Sequence, residues 1–245
     1  MPPSEKAATA GKMTRRARQR AATLEEIRRV ARRLLVERGS AAVSINAIAR
    51  EMGLSGPALY RYYASQAELA AALRADFYRE LIDRMRAAGE QCGGTPGRRL
   101  LAISRALRGW AVAHPAEFGW LFASPAPAMG EPRGASPDCE TGQAFGLVFL
   151  EQMVDIWQTQ RFPVPSLEDM DPSLAEQLRA YSQKIGGQLP PEAAYVFLSC
   201  WMRLYGLLCM EVLNQISFAF TDLEPVFEES LQELCRMVDV PYEAP

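Results

Sequence analysis

Residues 45–64, INAIAREMGLSGPALYRYYA, have the residue spacing of a helix-turn-helix and decide the fold of the N-terminal third. Ala49 is small enough to let two helices approach each other, and Gly53 can adopt the positive φ that a tight turn requires. Leu59 and Tyr62 are predicted to supply the apolar inner face of a second short helix. An ordinary helical hairpin shares part of this pattern and is the alternative interpretation.

The segment before the motif is predicted to contain an arm and a helix. Residues 1–22 carry a basic cluster but no hydrophobic period, which predicts a flexible basic arm. Thr23 and Glu26 have the spacing of a capping box, so we expect a helix from Thr23 to Gly39. The arginines of the arm are compatible with a solubilising tail or with an arm that reaches into the minor groove of DNA.

Serines mark the predicted starts of the next three helices. Ser44 and Ser55 are expected to cap the two helices of the motif. Ser65 and Glu68 form a second capping-box pattern, which predicts a long helix to about residue 91.

The rest of the chain shows helical periodicity and no strand or hairpin pattern. Residues 123–138 contain four prolines and are expected to form a loop. The sequence therefore predicts an all-α fold, with three helices over 23–68 that contain the helix-turn-helix and a helical bundle over 69–245. The helices of the bundle are predicted near 98–113, 115–122, 140–160, 172–184, 190–216 and 223–238.

The net charge of −2 conceals a division of the chain into a basic and an acidic part. Residues 1–91 contain 17 Lys and Arg against 10 Asp and Glu, whereas residues 92–245 contain 10 against 19. This asymmetry is expected when one part of a chain contacts a polyanion. Solvated, arginine-rich helix faces would produce the same division.

These features, in this order, resemble the tetracycline-repressor-like (TetR) family of transcriptional regulators. The similarity lies in the helix at 23–38 and in SINAIAREMGLSGPALYRYYASQAEL at 44–69. The sequence departs from the family at Gln66, where a lysine that contacts phosphate is usual. The resemblance implies an all-helical homodimer whose C-terminal domain binds a ligand and thereby controls operator binding. It likewise implies that 23–68 form a three-helix DNA-binding domain and 69–245 an effector-binding and dimerisation domain.

The second helix of the motif, at about 56–62, is expected to enter the major groove with its N-terminal end leading. Arg61 can bind guanine bidentately, while Pro57 and Ala58 can offer apolar contact to a base. Tyr62 is also compatible with a partly buried core position. Hydroxyls, amides and backbone N–H groups at helix starts are expected to contact phosphate, and they belong to Ser44, Ser55, Gly56, Tyr60, Tyr62 and Gln66.

The acidic part has many aromatic residues, which suit either a helical core or a cavity for a flat, hydrophobic effector. Its stretches 110–127 and 201–212 resemble one branch of TetR-like effector domains, in which the position of Tyr205 is often histidine. His114 can cap carbonyls at a helix end or donate a hydrogen bond to an effector. The predicted ligand contacts are Trp110, His114, Phe118, Phe122, Phe149, Met153, Trp157, Trp201 and Tyr205.

The segment 190–216 is apolar nearly all round, with Arg203 and Glu211 as the only charges between Ala193 and Leu213. Two apolar faces need two partners, so we expect one face to pack on the subunit's own core. The other face, together with 223–238, is expected to pack on a second copy of the chain. A central arginine makes a membrane span costly, so no membrane partner is expected.

The sequence lacks the patterns that common catalytic or metal sites require. One histidine cannot form a metal pair, and no GxSxG or glycine-rich phosphate loop is present. The five cysteines have no CxxC spacing and are expected to be reduced thiols in a cytoplasmic protein. We therefore expect no enzymatic activity, cofactor or metal.

The sequence favours a cytoplasmic repressor, associated with the nucleoid when it is bound to DNA. It is expected to bind a palindromic, double-stranded operator as a homodimer and to be released by a small hydrophobic or aromatic effector. One alternative is a helical module that binds a ligand or protein and has lost sequence-specific DNA binding. Another is a helical enzyme that acts on a hydrophobic substrate.

Overall fold

The computed structural model describes residues 14–123 and 137–245, and over these ranges it contains ten α-helices and no strand. The predicted all-α fold is confirmed. The described residues form two compact units, which divide between Leu73 and Arg74 inside one long helix. The sequence places this boundary after residue 68, slightly earlier. We call the two parts the N-terminal unit and the C-terminal unit.

The N-terminal unit consists of three complete helices and the first turns of a fourth. Each helix contributes fully buried side chains to one core, among them Ile27, Ile48, Leu59 and Leu69. Burying such a side chain stabilises a fold by about 1.5–3 kcal/mol. The helices are α1 (Arg15–Arg38), α2 (Ile45–Glu51), α3 (Gly56–Tyr60) and α4 (Gln66–Cys92), with a 3₁₀ turn at Ser40–Ala42.

Helix α1 begins at Arg15, so the prediction of a flexible arm over 1–22 is wrong for its last third. These first turns are rich in arginine and alanine, which favour a helix without forming an apolar stripe. Hydrophobic periodicity therefore could not reveal them. Residues 1–13 lie outside the described residues.

The cap of α1 is Thr14, not Thr23. The Thr14 hydroxyl oxygen accepts a hydrogen bond from the N–H of Ala17 at 3.2 Å. The Thr23 hydroxyl lies inside the helix and donates to the carbonyl of Gln19 at 3.0 Å. A threonine can therefore match a capping pattern and still occupy a helix interior, where it bonds back to the preceding turn.

The turn between α2 and α3 follows the predicted helix-turn-helix pattern. Ser44 caps α2 by accepting a hydrogen bond from the N–H of Ala47 at 3.2 Å, and Gly53 has a φ of +66°. Ser55 occupies the N-cap position of α3, but its side chain makes no capping bond, contrary to the prediction. The predicted motif is therefore present, with an uncapped second helix.

The inner face beyond α3 is formed by Tyr63 and not by Tyr62. Tyr63 is only 4% exposed and its hydroxyl accepts a hydrogen bond from Arg28, whereas Tyr62 is half-buried. Helix α3 ends at Tyr60, so helical spacing no longer determines which side chain turns inward. Tyr62 is therefore partly buried, as one of its two interpretations predicts, and the fully buried inner position is Tyr63, which the sequence does not predict.

Helix α4 begins with the predicted capping pattern. The N–H of Glu68 donates to the Ser65 hydroxyl oxygen at 3.1 Å. The Glu68 carboxylate in turn accepts a hydrogen bond from the N–H of Ala64 at 2.6 Å. Both ends of the box thus satisfy backbone groups at the helix start.

The C-terminal unit comprises the rest of α4 and six further helices, with α9 at its centre. Helix α9 packs against α5, α7, α8 and α10. The predicted loop over 123–138 falls mainly on residues outside the described ranges. The further helices are α5 (Pro96–Ala113), α6 (Pro115–Phe118), α7 (Pro137–Gln160), α8 (Pro172–Lys184), α9 (Pro191–Val212) and α10 (Glu224–Met237), with a π-helical turn at Gly119–Ala123 and a 3₁₀ turn at Leu167–Asp169.

Helix α9 ends earlier than the predicted segment 190–216. Its last residue is Val212, and Asn214 then adopts a left-handed φ of 55°, which stops the helix. By length and composition alone α9 could cross a membrane, a property that the core helices of globular proteins share.

Candidate functional site

Helix α3 presents a short, exposed face on a buried anchor. Leu59 is completely buried, whereas Pro57, Arg61 and half of Tyr60 are exposed. Ala58 is half-buried beside them. The residues predicted to approach base edges therefore share an accessible face, and a single leucine fixes that face on the core.

Gly56 lies beside the Asn46 side chain of α2. A Cβ atom at Gly56 would lie 2.8 Å from the Asn46 side-chain oxygen, so a larger residue would displace the end of that flexible side chain. Only its backbone N–H remains as the group predicted to contact phosphate.

Gln66 holds the start of α2. Its side-chain oxygen accepts a hydrogen bond from the N–H of Ile45 at 3.0 Å, and its amide nitrogen donates to the carbonyl of Val43 at 2.6 Å. Both ends of the amide are thus engaged with backbone on either side of Ser44. The structure assigns Gln66 a positioning role that sequence reasoning missed, because the bonded partners are more than twenty residues away.

Two serines offer hydroxyl groups next to the motif. Ser44 uses one oxygen lone pair to cap α2, and its O–H remains a donor. Ser55 is exposed and makes no capping bond. Both hydroxyls are therefore compatible with the predicted contacts to phosphate.

Arg20 connects the beginning of α1 to the end of α3. Its guanidinium lies over the ring of Tyr62, with 5.2 Å between the guanidinium carbon and the ring centroid. Its Nη1 atom donates to the carbonyl of Arg61 at 3.3 Å. Arg20, Arg61 and Tyr62 therefore form one cluster on the surface of the N-terminal unit.

The C-terminal unit contains a continuous cluster of aromatic rings from α4, α6, the π-helical turn, α7 and α9. The Phe145 ring lies 5.5 Å from Trp201 and 5.7 Å from Phe122, measured between ring centroids. The Tyr205 hydroxyl donates to the carbonyl of Phe122 at 3.2 Å, and burial raises the pKa of this tyrosine. The cluster comprises Tyr78, Phe118, Phe122, Phe145, Phe149, Trp201 and Tyr205.

His114 packs at the end of α5, where it contacts a carbonyl. Its Nδ1 atom lies 2.9 Å from the carbonyl oxygen of Trp110, and its ring stacks on the Trp110 ring at 5.1 Å. Trp110 is fully buried and donates its indole N–H to Glu80 at 2.9 Å. This geometry favours the capping interpretation of His114 over a contact with an effector.

An apolar cavity of about 30 Å³ lies between α5, α7, α9 and α10. Three of the predicted ligand contacts line it, namely Phe149, Met153 and Trp201. The structure places the other predicted contacts outside the cavity lining, namely Trp110, His114, Phe118, Phe122, Trp157 and Tyr205. The lining residues that sequence reasoning missed are Leu100, Leu101, Ser104, Phe197, Cys200, Leu204, Leu231, Leu234 and Cys235.

The cavity lining carries no charge at neutral pH. Burial raises the pKa of the Cys200 thiol to about 12 and that of Cys235 to about 11, so both thiols are protonated. The Ser104 hydroxyl donates to the carbonyl of Leu100. The cavity is therefore suited to a small, neutral, apolar molecule.

One side of α9 and the segment that follows it expose large apolar side chains. Met202 is 61% exposed, and Met210 lies two turns further on the same side of α9. Phe218 is 87% exposed in the connection to α10. The charged residue Glu211 faces the other way, where Arg108 binds it at 2.7 Å.

Comparison with known proteins agrees with this architecture. The family model of the bacterial regulatory proteins of the tetR family matches residues 27–73. The family model of the tetracyclin repressor-like C-terminal domain matches residues 100–234, more than half of the chain.

Two mycobacterial regulators are similar to about half of the chain. They are the HTH-type transcriptional regulators Rv1816 of Mycobacterium tuberculosis and Mb1846 of Mycobacterium bovis. Each is 39% identical over 118 residues, which cover 48% of this chain and 49% of the relative. The matched region thus spans only about half the length of these relatives.

Solved structures share the fold over nearly the whole chain. The regulatory protein SCO4313 is 30% identical, with a TM-score of 0.68 over 90% of this chain and 98% of its own. A protein from Rhodococcus sp. RHA1 is 17% identical, with a TM-score of 0.62 over 95% of this chain and 98% of its own, and shows the fold alone.

The helix-turn-helix with its exposed second helix, followed by a separate helical unit, defines a DNA-binding transcriptional regulator and not an enzyme. The chain belongs to the TetR family.

Proposed function

We propose that the chain is a ligand-responsive repressor, which binds a palindromic operator as a homodimer and is released by a small hydrophobic effector. The observation that carries this proposal is the exposed face of α3, with Arg61 and Pro57 held outward by the buried Leu59. A short helix with accessible side chains at its ends fits the major groove, in the manner of other helix-turn-helix proteins.

The DNA contacts in this proposal fall into two kinds. Arg61 reads a guanine, and Pro57 and Ala58 contact base edges without hydrogen bonds. The hydroxyls of Ser44, Ser55, Tyr60 and Tyr62, with the backbone N–H of Gly56, contact phosphates and fix the register. Gln66 contributes by holding the start of α2, with its remaining amide hydrogen as the only group left for phosphate.

The exposed apolar side of α9 supports the proposed homodimer. Met202 and Met210 lie on the side opposite the subunit's own core, and Phe218 extends this apolar surface. A second copy would cover this surface through α9 and α10. Two-fold symmetry then presents two copies of α3 to two half-sites of an operator.

The cavity beside Phe149 and Trp201 is the proposed effector site. Its volume of about 30 Å³ is too small for an aromatic ring, so effector binding must displace side chains or helices. Helix α4 belongs to both units, and a shift of this helix would couple the effector to the position of α3. The protein would act in the cytoplasm and associate with the nucleoid through operator DNA.

Fluorescence anisotropy with duplexes from upstream of its own gene tests this proposal. The full chain is titrated against these duplexes and against a shuffled duplex of equal length and composition. We expect tight, salt-sensitive binding to one upstream duplex and weak binding to the shuffled control. Equal affinity for both duplexes would contradict sequence-specific regulation and favour a binding module that no longer recognises an operator.

A further inference from the structure

We propose that a groove between the first turns of α1 and the end of α3 binds the sugar-phosphate backbone of DNA through side chains of α1, beside the contacts proposed above for Arg61 and Tyr62. This inference rests on the proposed DNA binding. The groove has a volume of about 440 Å³. We call it the α1–α3 groove, and its lining residues are Arg16, Gln19, Arg20, Thr23, Arg61 and Tyr62.

The charge of the α1–α3 groove calls for an anionic ligand. Three guanidinium groups line it, from Arg16, Arg20 and Arg61, and no carboxylate does. None of the three forms an ion pair with a carboxylate of residues 14–123 or 137–245. Elsewhere on α1, Arg29 pairs with Glu26 at 2.6 Å, and Arg33 and Arg38 pair with the carboxylate of Glu51.

Arg20 is held in place within the groove. The Tyr62 ring lies beneath its guanidinium, and the carbonyl of Arg61 accepts one of its hydrogen bonds. A guanidinium has several further N–H donors, and cation–π stacking leaves these donors in the plane of the group. Tyr62 and the Arg61 carbonyl therefore orient Arg20 without neutralising it.

The arrangement of the groove residues on α1 favours a polyanion over a single phosphate. Arg16, Arg20 and Thr23 are separated by helical spacing and lie along about 10 Å of one helix face. Arg61, proposed above to read a guanine, lies at the α3 end of this row. A DNA strand whose guanine contacts Arg61 can therefore place neighbouring phosphates along the α1 side chains.

The salt dependence of DNA affinity measures the contribution of the groove. We expect Arg16→Ala and Arg20→Ala each to reduce the slope of log K against log salt by about 1.8, because each change removes one phosphate contact, worth about 0.9, from both subunits of the proposed dimer. At about 0.1 M salt, each change should weaken binding on the order of sixtyfold. The preference for the operator over a single-base variant should stay the same, because these contacts involve no base.

Arg18→Ala is the matched control. Arg18 lies in the same turns of α1 and carries the same charge, but it does not line the groove. Removing it should leave the slope unchanged. The circular dichroism spectra of the Arg16, Arg18 and Arg20 variants should match that of the unmodified protein, since alanine favours a helix at least as well as arginine.

Substitutions at Tyr62 test the positioning of Arg20. Tyr62→Phe keeps the ring beneath the guanidinium, so it should weaken binding through the lost hydroxyl but retain the slope, because a hydroxyl carries no charge. Tyr62→Leu should lower the slope as Arg20→Ala does. Adding Arg20→Ala to Tyr62→Leu should lower the slope no further. A slope that is lower in the double variant than in Tyr62→Leu would contradict this positioning role.

The outcomes separate the groove from the proposed function. If the unmodified protein binds the operator and the Arg16, Arg20 and Arg18 variants all have the same slope, the proposal that the α1–α3 groove binds DNA is wrong. The repressor proposal would remain intact. No sequence-selective binding by the full chain would overturn both. Replacing chloride with inorganic phosphate at constant ionic strength should weaken DNA binding equally in the unmodified protein and in every variant. If DNA affinity falls only in the proteins that keep Arg16 and Arg20, the groove is a site for free phosphate instead.

Discussion

Arginine residues have different environments in the two units. In the α1–α3 groove of the N-terminal unit, Arg16 and Arg61 face the surface without a carboxylate partner among the described residues. In the C-terminal unit, Arg105 and Arg108 bind Glu228 and Glu211 at 2.7 Å and are largely buried. The same side chain is thus available to a ligand in one unit and stabilises helix packing in the other.

This difference shows why composition alone cannot locate a DNA-binding surface. An excess of arginine predicts contact with a polyanion only where no carboxylate already neutralises it. Pairing is a property of the folded structure, because most of the bonded partners are far apart in sequence. The comparison predicts that substitutions of paired and unpaired arginines affect different measurements.

The largest expected effect is on the anchor of α3. Leu59→Ala removes a completely buried side chain and should lower the free energy of unfolding of the N-terminal unit by about 3 kcal/mol. Tyr60→Ala, the neighbouring control at a half-exposed position, should change stability by less than about 0.5 kcal/mol. Urea denaturation followed by circular dichroism measures both, and equal destabilisation would show that α3 is not anchored by Leu59.

Breaking the pair between α5 and α9 should have a similar but smaller effect on the C-terminal unit. Arg108→Ala leaves Glu211 largely buried without its cation and should cost about 2–3 kcal/mol, less than for a fully buried pair. The combined change Arg108→Met and Glu211→Leu should recover most of this stability. Thermal unfolding of the single and double variants checks this, and a double variant as unstable as Arg108→Ala would contradict the proposed cause.

Gln66→Lys restores the residue usual in the family and should cost about 1–2 kcal/mol, because lysine cannot accept the hydrogen bond from the N–H of Ile45. Hydrogen exchange of the Ile45 amide should become faster in this variant. Gln66→Glu is the control, since its carboxylate keeps an acceptor for that N–H. Unchanged exchange in Gln66→Lys would show that the amide does not hold the start of α2.

The smallest expected effect depends on pH. Hydrogen bonding from Arg105 lowers the pKa of Glu228 from its usual value of 4.5, so the pair stabilises the fold fully above that pH. Glu228→Gln should cost about 1 kcal/mol at pH 7. This cost should disappear as the pH falls below 4.5 and the native carboxylate becomes protonated. Denaturation at several pH values tests this, and a cost independent of pH would exclude the ion pair as its cause.

The sequence predicts most helices because apolar periodicity, serine caps and prolines act within a few residues. Helix α8 has the predicted bounds, with Pro172 at its start. The beginning of α1 is missed because an arginine-rich helix with exposed faces has no hydrophobic period. The buried position of Tyr63 is missed because α3 ends at Tyr60, so helical spacing does not extend to it.

The site residues are less predictable because contacts between distant elements define them. The roles of Gln66 and Arg20 depend on partners more than twenty residues away. The cavity is lined mainly by leucines and thiols of α5, α9 and α10, while sequence reasoning selected large aromatic rings. The helical spacing of lining residues such as Leu231, Leu234 and Cys235 indicates an inward face of the helix, but it does not distinguish a cavity from a filled core.

Selection of binding sites from a random pool of duplexes tests the central claim, that α3 reads an operator in two symmetric half-sites. The full chain should enrich one palindromic sequence, and Arg61→Ala should lose preference at one base pair in each half-site while retaining the rest. Tyr60→Phe, which removes only a phosphate contact, should enrich the same palindrome. Enrichment of no sequence by the full chain, or an unchanged preference for Arg61→Ala, would contradict this account.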